Sequence, residues 1–171
     1  TRYIGDWSSD VCSSDLNHTY SCCPFDVHNR TRAADMTKKV FEIPADHPMF
    51  AATHGGYESY GYSPAVRAGN LLFIAGEVGF RADGSIPESV AEQTEVALER
   101  TKEVLRLQGL TMADLVEVVS YHVNLKDTVN EFLPVKARYT EKPFPAWSII
   151  GVEALALPEL KIEIRSVAVF P

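Results

Sequence analysis

Between residues 90 and 109 the apolar positions fall on one stripe, with Val90, Ala97 and Val104 recurring every seven residues beside Ala91, Leu98 and Leu105. That spacing predicts an amphipathic helix. Ser89-x-x-Glu92 and Ser85-x-x-Glu88 each offer a capping-box start, and Gly109 suits a left-handed stop. Glu92, Glu95, Glu99, Lys102, Glu103 and Arg106 occupy the opposite, solvated face. From Leu115 to Leu125 the period shortens to two, with Val119, Tyr121, Val123 and Leu125 alternating against Ser120, His122 and Asn124, which predicts a strand. Upstream, Ala65–Ala68 and Leu71–Ala75 flank Gly69-Asn70, the connection of a tight β-hairpin. Asp127 to Glu131 carries cap chemistry and Phe132, Leu133, Lys136 and Tyr139 follow helical spacing. Pro134 makes this second helix short, beginning near the proline rather than running through it. Two strands close the pattern, Ala146–Leu155 and Leu160–Phe170, separated by a turn at Pro158-Glu159. Met36 to about Tyr60 mixes Gly, Pro and Tyr without a period and predicts a loop-rich approach, with order beginning near Ser63.

The element order is therefore β-β-α-β-α-β-β in a single α+β domain, two helices packed on one mixed sheet. The strands' second, partly polar face is expected to meet something else, and self-association is the commonest answer. With 46% apolar and 23% charged residues, the 171-residue chain has ordinary globular composition. Its net charge of −7, with no run of Lys or Arg longer than two, argues against a nucleic-acid or polybasic membrane partner. No apolar stretch reaches membrane-spanning length and no signal-peptide core is evident, so the expected address is cytoplasmic.

All three cysteines, Cys12, Cys22 and Cys23, lie in the first 35 residues, an odd cluster that suits neither a disulfide framework nor a structural zinc site. Asp6 to Leu16 matches the conceptual translation of a short-read sequencing adapter. Residues 1–16 are accordingly expected to be assembly contamination and 17–35 upstream read-through, a leader without packed structure. Met36 is the natural start, and residues 36–171 form the domain.

From about residue 60 onward the chain resembles the reactive intermediate deaminase family, RidA/YjgF. The resemblance rests on Ser63-Pro64-Ala65-Val66-x-x-Gly69-Asn70, Ile74-Ala75-Gly76-Glu77-Val78, the helix opening Val90-Ala91-Glu92-Gln93-Thr94, and Val123-Asn124-Leu125-Lys126-Asp127. Phe144-Pro145-Ala146-Trp147-Ser148 and the ending Lys161-Ile162-Glu163-Ile164-Arg165 extend it. It implies a chorismate-mutase-like fold, a homotrimer with small-molecule clefts between subunits, no cofactor, and in the best-known branch hydrolysis of 2-imino acids. It also marks Tyr62, Gly76, Lys136, Trp147, Ser148 and Ile149 as substrate-binding positions and Glu163 as the group that activates water.

The active branch clamps its substrate carboxylate with Arg in a Pro-Ala-Arg-Ser run, whereas this chain has Pro145-Ala146-Trp147-Ser148. Indole offers one N–H and no charge, so it does not replace a guanidinium fork. Two further departures are Ala75 for a family serine and Lys136 for a family asparagine. From the residues alone, Glu163 is either a water-positioning base or a partner of Lys161 or Arg165 on the same face. Tyr62 covers a ligand or packs at a subunit edge. Trp147 is a core aromatic or a stacking platform, and Lys136 supplies the lost charge or is solvated surface. His122 reads as a satisfied sheet residue, and no histidine cluster argues for a metal.

Overall fold

The structure, a computed structural model, describes residues 38–171; the expected leader over residues 1–35, its cysteines and the Met36 start lie outside the described residues. Six strands, β1 (Lys39–Phe41), β2 (Ala65–Ala68), β3 (Leu71–Val78), β4 (Leu115–Val123), β5 (Ala146–Val152) and β6 (Ile162–Val169), form one sheet in the order β1-β2-β3-β6-β4-β5. Every pair is antiparallel except β4–β5. Helices α2 (Val90–Leu107) and α3 (Leu125–Tyr139) cover one face, and a single turn of helix, α1 (Gly55–Ser59), precedes β2.

The α2 stripe does what its spacing dictates. Val90, Ala97, Leu98, Val104 and Leu105 bury against Leu72, Ile74, Val118, Ile162, Ile164 and Ala168 of the sheet. Ser89 caps its start, accepting from the Glu92 amide at 3.2 Å while its hydroxyl donates to the Glu92 carboxylate. A cap of this kind is worth about 1 kcal/mol. At the other end the Leu110 amide donates to the Leu105 carbonyl and the Gly109 amide to that of Arg106, with Gly109 at φ +73°, a Schellman stop. The predicted hairpin is also present, Arg67 facing Leu72 and Ala68 facing Leu71 across a turn whose first residue, Gly69, has φ +61°.

Four features differ from the sequence pattern. α3 runs straight through Pro134. Pro134 and Asn130, whose carbonyl loses its donor, are both exposed, so that bond is lost on the solvent side while Thr128, Phe132 and Val135 stay buried on the other. Ordered structure begins well before Ser63: β1 pairs with β2, and Ile43 and Phe50 are 2% and 0% exposed. A three-residue strand and a single helical turn are too short to show a period. The two C-terminal strands do not pair with each other. β5 lies parallel to β4 at the sheet edge after the α3 crossover, and β6 inserts between β3 and β4. In β4 it is the polar set, Ser120 and His122, that turns inward beneath α3, leaving Val119, Tyr121 and Val123 on the uncovered face.

That uncovered face carries cross-strand rows set by the register. Val78, Glu163, Tyr121 and Ile150 form one row, and Phe73, Val167, Glu117 and Ala146 another. Phe73 and Ile150 are exposed there, at 38% and 42%.

Candidate functional site

Gly76 sits where the β3–β6 register shifts between Ile74 and Glu77. The Glu163 side chain lies directly over it: a Cβ at Gly76 would collide with the Glu163 carboxyl, so only glycine permits this approach. Around that carboxyl a cavity of about 330 Å³ is lined by Tyr60, Tyr62, Val78, Phe80, Leu157 and Leu160, with Ala75, Gly76 and Ala156 completing the wall. Three of the expected site residues, Tyr62, Gly76 and Glu163, thus meet in one place.

Glu163 has no hydrogen-bond partner and no ion pair among the described residues. Lys161, a candidate partner, donates from Nζ to the Glu88 carbonyl at 2.6 Å, and Arg165 makes no ion pair. Burial pushes the Glu163 carboxyl above its ordinary range, and no compensating cation acts on it. The Tyr62 hydroxyl is also pushed up, first by burial and then by the Glu77 carboxylate.

Gln93 holds the segment that leads into β6. Its side-chain amide donates to the carbonyls of Pro87 and Glu159 at 2.8 and 2.9 Å and accepts from the Lys161 amide at 2.8 Å. A fully bonded buried amide of this kind fixes where Glu163 starts along its strand. Gly79 packs so closely on Gln93 that a Cβ there would approach it to 2.8 Å.

Behind Gly76 lies a second cavity, of about 310 Å³, that shares Tyr60, Tyr62, Gly76, Val78 and Phe80 with the first and is closed by Tyr57, Glu77 and Arg100. Arg100 Nε donates to Glu77 at 2.7 Å, Nη1 to the Met49 carbonyl and Nη2 to Thr53 Oγ1, while its guanidinium lies 4.3 Å from the Phe50 ring centroid. Burial pushes the Glu77 carboxyl up against the pull of Arg100. The Tyr57 hydroxyl is buried there without a partner among the described residues. Sequence reasoning missed this group, yet it left a signal: Gln93, Ala97, Arg100 and Val104 keep helical spacing on the buried stripe, and an arginine on such a stripe requires a buried partner.

The remaining expected residues gather elsewhere. Trp147, on β5, donates its indole N–H to Ser120 Oγ at 3.1 Å and packs edge-to-face on Phe132. Lys136 Nζ stands 4.3 Å from the centroid of the same indole, and burial pushes its ammonium down. Ser120 meets His122 Nε2 at 3.0 Å, and His122 Nδ1 faces Thr128 Oγ1 at 3.4 Å. Burial lowers the His122 pKa and keeps the ring neutral, so one direction of donation satisfies the chain: Trp147 to Ser120, Ser120 to His122, His122 to Thr128, Thr128 to the Asn124 carbonyl. His122 is the satisfied sheet residue its position suggested. Ser148 is exposed on the uncovered face and Ile149, 36% exposed, lies on the helix side of the edge strand. No residue of β5 or α3 lines the Glu163 cavity.

A two-layer α+β domain with a glycine-floored carboxylate cavity on β3 and β6 defines a recognisable class. The family model described as Endoribonuclease L-PSP matches residues 57–170, and the chain belongs to this family, the RidA/YjgF proteins. It is 32% identical over 115 residues to the RutC family protein YjgH of Escherichia coli, covering 67% of this chain and 88% of that protein. The solved structure of that protein superposes with a TM-score of 0.62 over the same shares. It is 30% identical to a 2-iminobutanoate/2-iminopropanoate deaminase of Dermatophagoides farinae, covering 63% of this chain and 84% of that one. The solved YjgF-family protein Rv2704 of Mycobacterium tuberculosis, 28% identical, has a TM-score of 0.65 over 78% of this chain and all of that one. The chorismate-mutase-like fold expected from the sequence is the fold observed. No helix among the described residues is long and apolar enough to cross a membrane.

Proposed function

We propose that this protein is a homotrimer that binds a small metabolite in clefts between its subunits and lacks the carboxylate-clamped 2-imino acid deamination of the family's best-known branch. The carrying observation is Trp147. It stands at the clamp position, its single N–H is bonded to Ser120, and its ring is wedged between Phe132 and Lys136. No bidentate donor remains there for a carboxylate.

The trimer is supported by two features. The uncovered sheet face presents Phe73, Tyr121 and Ile150, an apolar surface that self-association would bury. The candidate residues also fall into two half-sites, Tyr62, Gly76 and Glu163 in one and Lys136, Trp147, Ser148 and Ile149 along the β5 edge in the other, so a cleft assembled from two copies unites what one chain separates. In this reading Tyr62 and Gly76 shape the first wall, and Lys136, Trp147, Ser148 and Ile149 the second.

A second reading, hydrolysis of an imine without a carboxylate, is favoured by the desolvated Glu163 alone. Glu163 takes a proton from water as the oxygen adds to the C=N carbon of an iminium, then returns it to nitrogen. The resulting carbinolamine collapses to a carbonyl and releases ammonia with its protons. The test couples an amino-acid oxidase, which supplies 2-iminopropanoate, to the purified full chain and follows ammonia and oxo-acid release. No acceleration over the uncatalysed rate is expected, and light scattering should give three times the chain mass. Acceleration matching an Arg-bearing relative, or a monomer at micromolar concentration, refutes the proposal.

A further inference from the structure

The Glu163 cavity contains an uncompensated charge of one sign. Among its lining residues Glu163 is the sole carboxyl and none is Lys, Arg or His; the rest are apolar, glycine or tyrosine. Arg100, the nearest buried guanidinium in the adjoining cavity, is neutralised by Glu77 at 2.7 Å and turned away toward the Met49 carbonyl and Thr53. Lys161 is bonded to the Glu88 carbonyl, and Arg165, two residues along β6 on the same face, forms no ion pair among the described residues.

Three aromatic rings, Tyr60, Tyr62 and Phe80, stand around that carboxylate. Aromatic faces attract cations through the ring quadrupole, and a partly desolvated carboxylate attracts them more strongly still. An anionic ligand would meet the same carboxylate as a like charge with no cationic donor in this lining to offset it, and Lys136 of the second wall is already engaged over the Trp147 ring. The floor serves the same end: Gly76 lets the Glu163 carboxyl lie directly over the backbone among the residues of the aromatic wall. At about 330 Å³ the cavity lies near the lower end of small-molecule sites, so the occupant is small.

We propose that the Tyr60–Tyr62–Phe80–Glu163 cavity recognises a small organic cation, a protonated amine or iminium that carries no carboxylate. This rests on the metabolite-binding reading above and narrows it to one charge class. It also places the protein beside reactions that produce or consume such cations, the oxidation of amines to imines and the condensation of amines with carbonyls. Burial raises the Glu163 carboxyl, so a bound cation should draw it back toward the ordinary range and release a proton on binding.

The probes are three compounds of one shape: cyclohexylammonium, cyclohexanol and cyclohexanecarboxylate, each titrated into the full chain at pH 7.5 by ligand-observed NMR. The ammonium is expected to bind about tenfold more tightly than the alcohol, and the carboxylate more weakly than either. Glu163→Gln should bring the ammonium to the alcohol's affinity, and Glu163→Asp should restore part of the difference. The circular dichroism of each variant shows whether it folds. The cation assignment is overturned alone if the carboxylate binds as tightly as the ammonium, or if folded Glu163→Gln keeps the preference. Failure of all three probes up to about 10 mM overturns it together with the metabolite-binding reading. Acceleration of 2-iminopropanoate hydrolysis with the cation preference intact would overturn only the claim that carboxylate-clamped deamination is absent.

Discussion

Arg100 on α2 and Glu77 on β3 form an ion pair of 2.7 Å in which each side chain is 4% exposed. The pair joins the main helix to the strand that floors the site, and Arg100 extends the link to Met49 and Phe50 in the segment before β2. Removing one partner strands the other in a medium that solvates it poorly. Arg100→Leu is therefore expected to destabilise the fold by about 3–5 kcal/mol in urea unfolding. The double variant Glu77→Leu with Arg100→Leu should recover a substantial part of that loss. A double variant no better than the single would show that the charges do not act as a pair.

Glu163 predicts a conflict between stability and binding. Its carboxyl is raised in the folded state, so the native protein holds this proton where the unfolded chain has released it. The stabilising contribution is fully present below the unfolded carboxylate range of about pH 4 and is lost as pH rises through the folded value. Glu163→Gln should consequently melt at a higher temperature than the parent at pH 7.5, with the gap closing near pH 4. Cation binding should run the opposite way, weakening in the parent as the carboxyl protonates.

Trp147 is predicted to contribute through its N–H as well as its bulk. Trp147→Phe keeps an aromatic ring against Phe132 but leaves Ser120 without its donor, and the loss should be about 1 kcal/mol beyond the packing change. Adding Ser120→Ala to Trp147→Phe should cost less than the sum of the two single changes, because both break the same bond. Additivity in the unfolding free energies would count against the coupling.

Pro134 interrupts the hydrogen bonding of α3 at a solvent-facing position. Pro134→Ala restores an amide for the Asn130 carbonyl and should raise stability by about 1–2 kcal/mol, the helix-interior penalty of proline less the entropy it removes from the unfolded chain. A neutral or destabilising result would mean that the backbone around Asn130 does not close onto an alanine.

Periodicity made α2, the β2–β3 hairpin and β4 legible because each is long enough, or tightly enough turned, for local chemistry to decide it. It misplaced the start of α3, where a strong local rule against proline yields to burial of Phe132 and Val135 and to solvent exposure of the interrupted side. It was silent on β1 and on Phe50, whose structure depends on partners far along the chain. The site divided the same way. Tyr62, Gly76 and Glu163 were marked by resemblance to a family, and the register of β3 on β6 brings them together. Arg100 and Tyr57 lie in no family motif and Glu77 lies in one that assigns it no role, so the group becomes visible only when β3, α2 and α1 are packed. Trp147 was singled out by the resemblance, but its bond to Ser120 depended on which face of β4 turns inward, and the simple alternation of polar and apolar residues pointed the other way.

β6 is the last strand in chain order among the described residues and yet stands between β3 and β4. Until it docks, β1-β2-β3 and β4-β5 are two separate sheets with unpaired edges, and the helices have no continuous floor to cover. Formation of the native core must therefore wait for residues 162–169 to leave the ribosome, and nascent chains stalled before that point should remain protease-sensitive and prone to pair with one another.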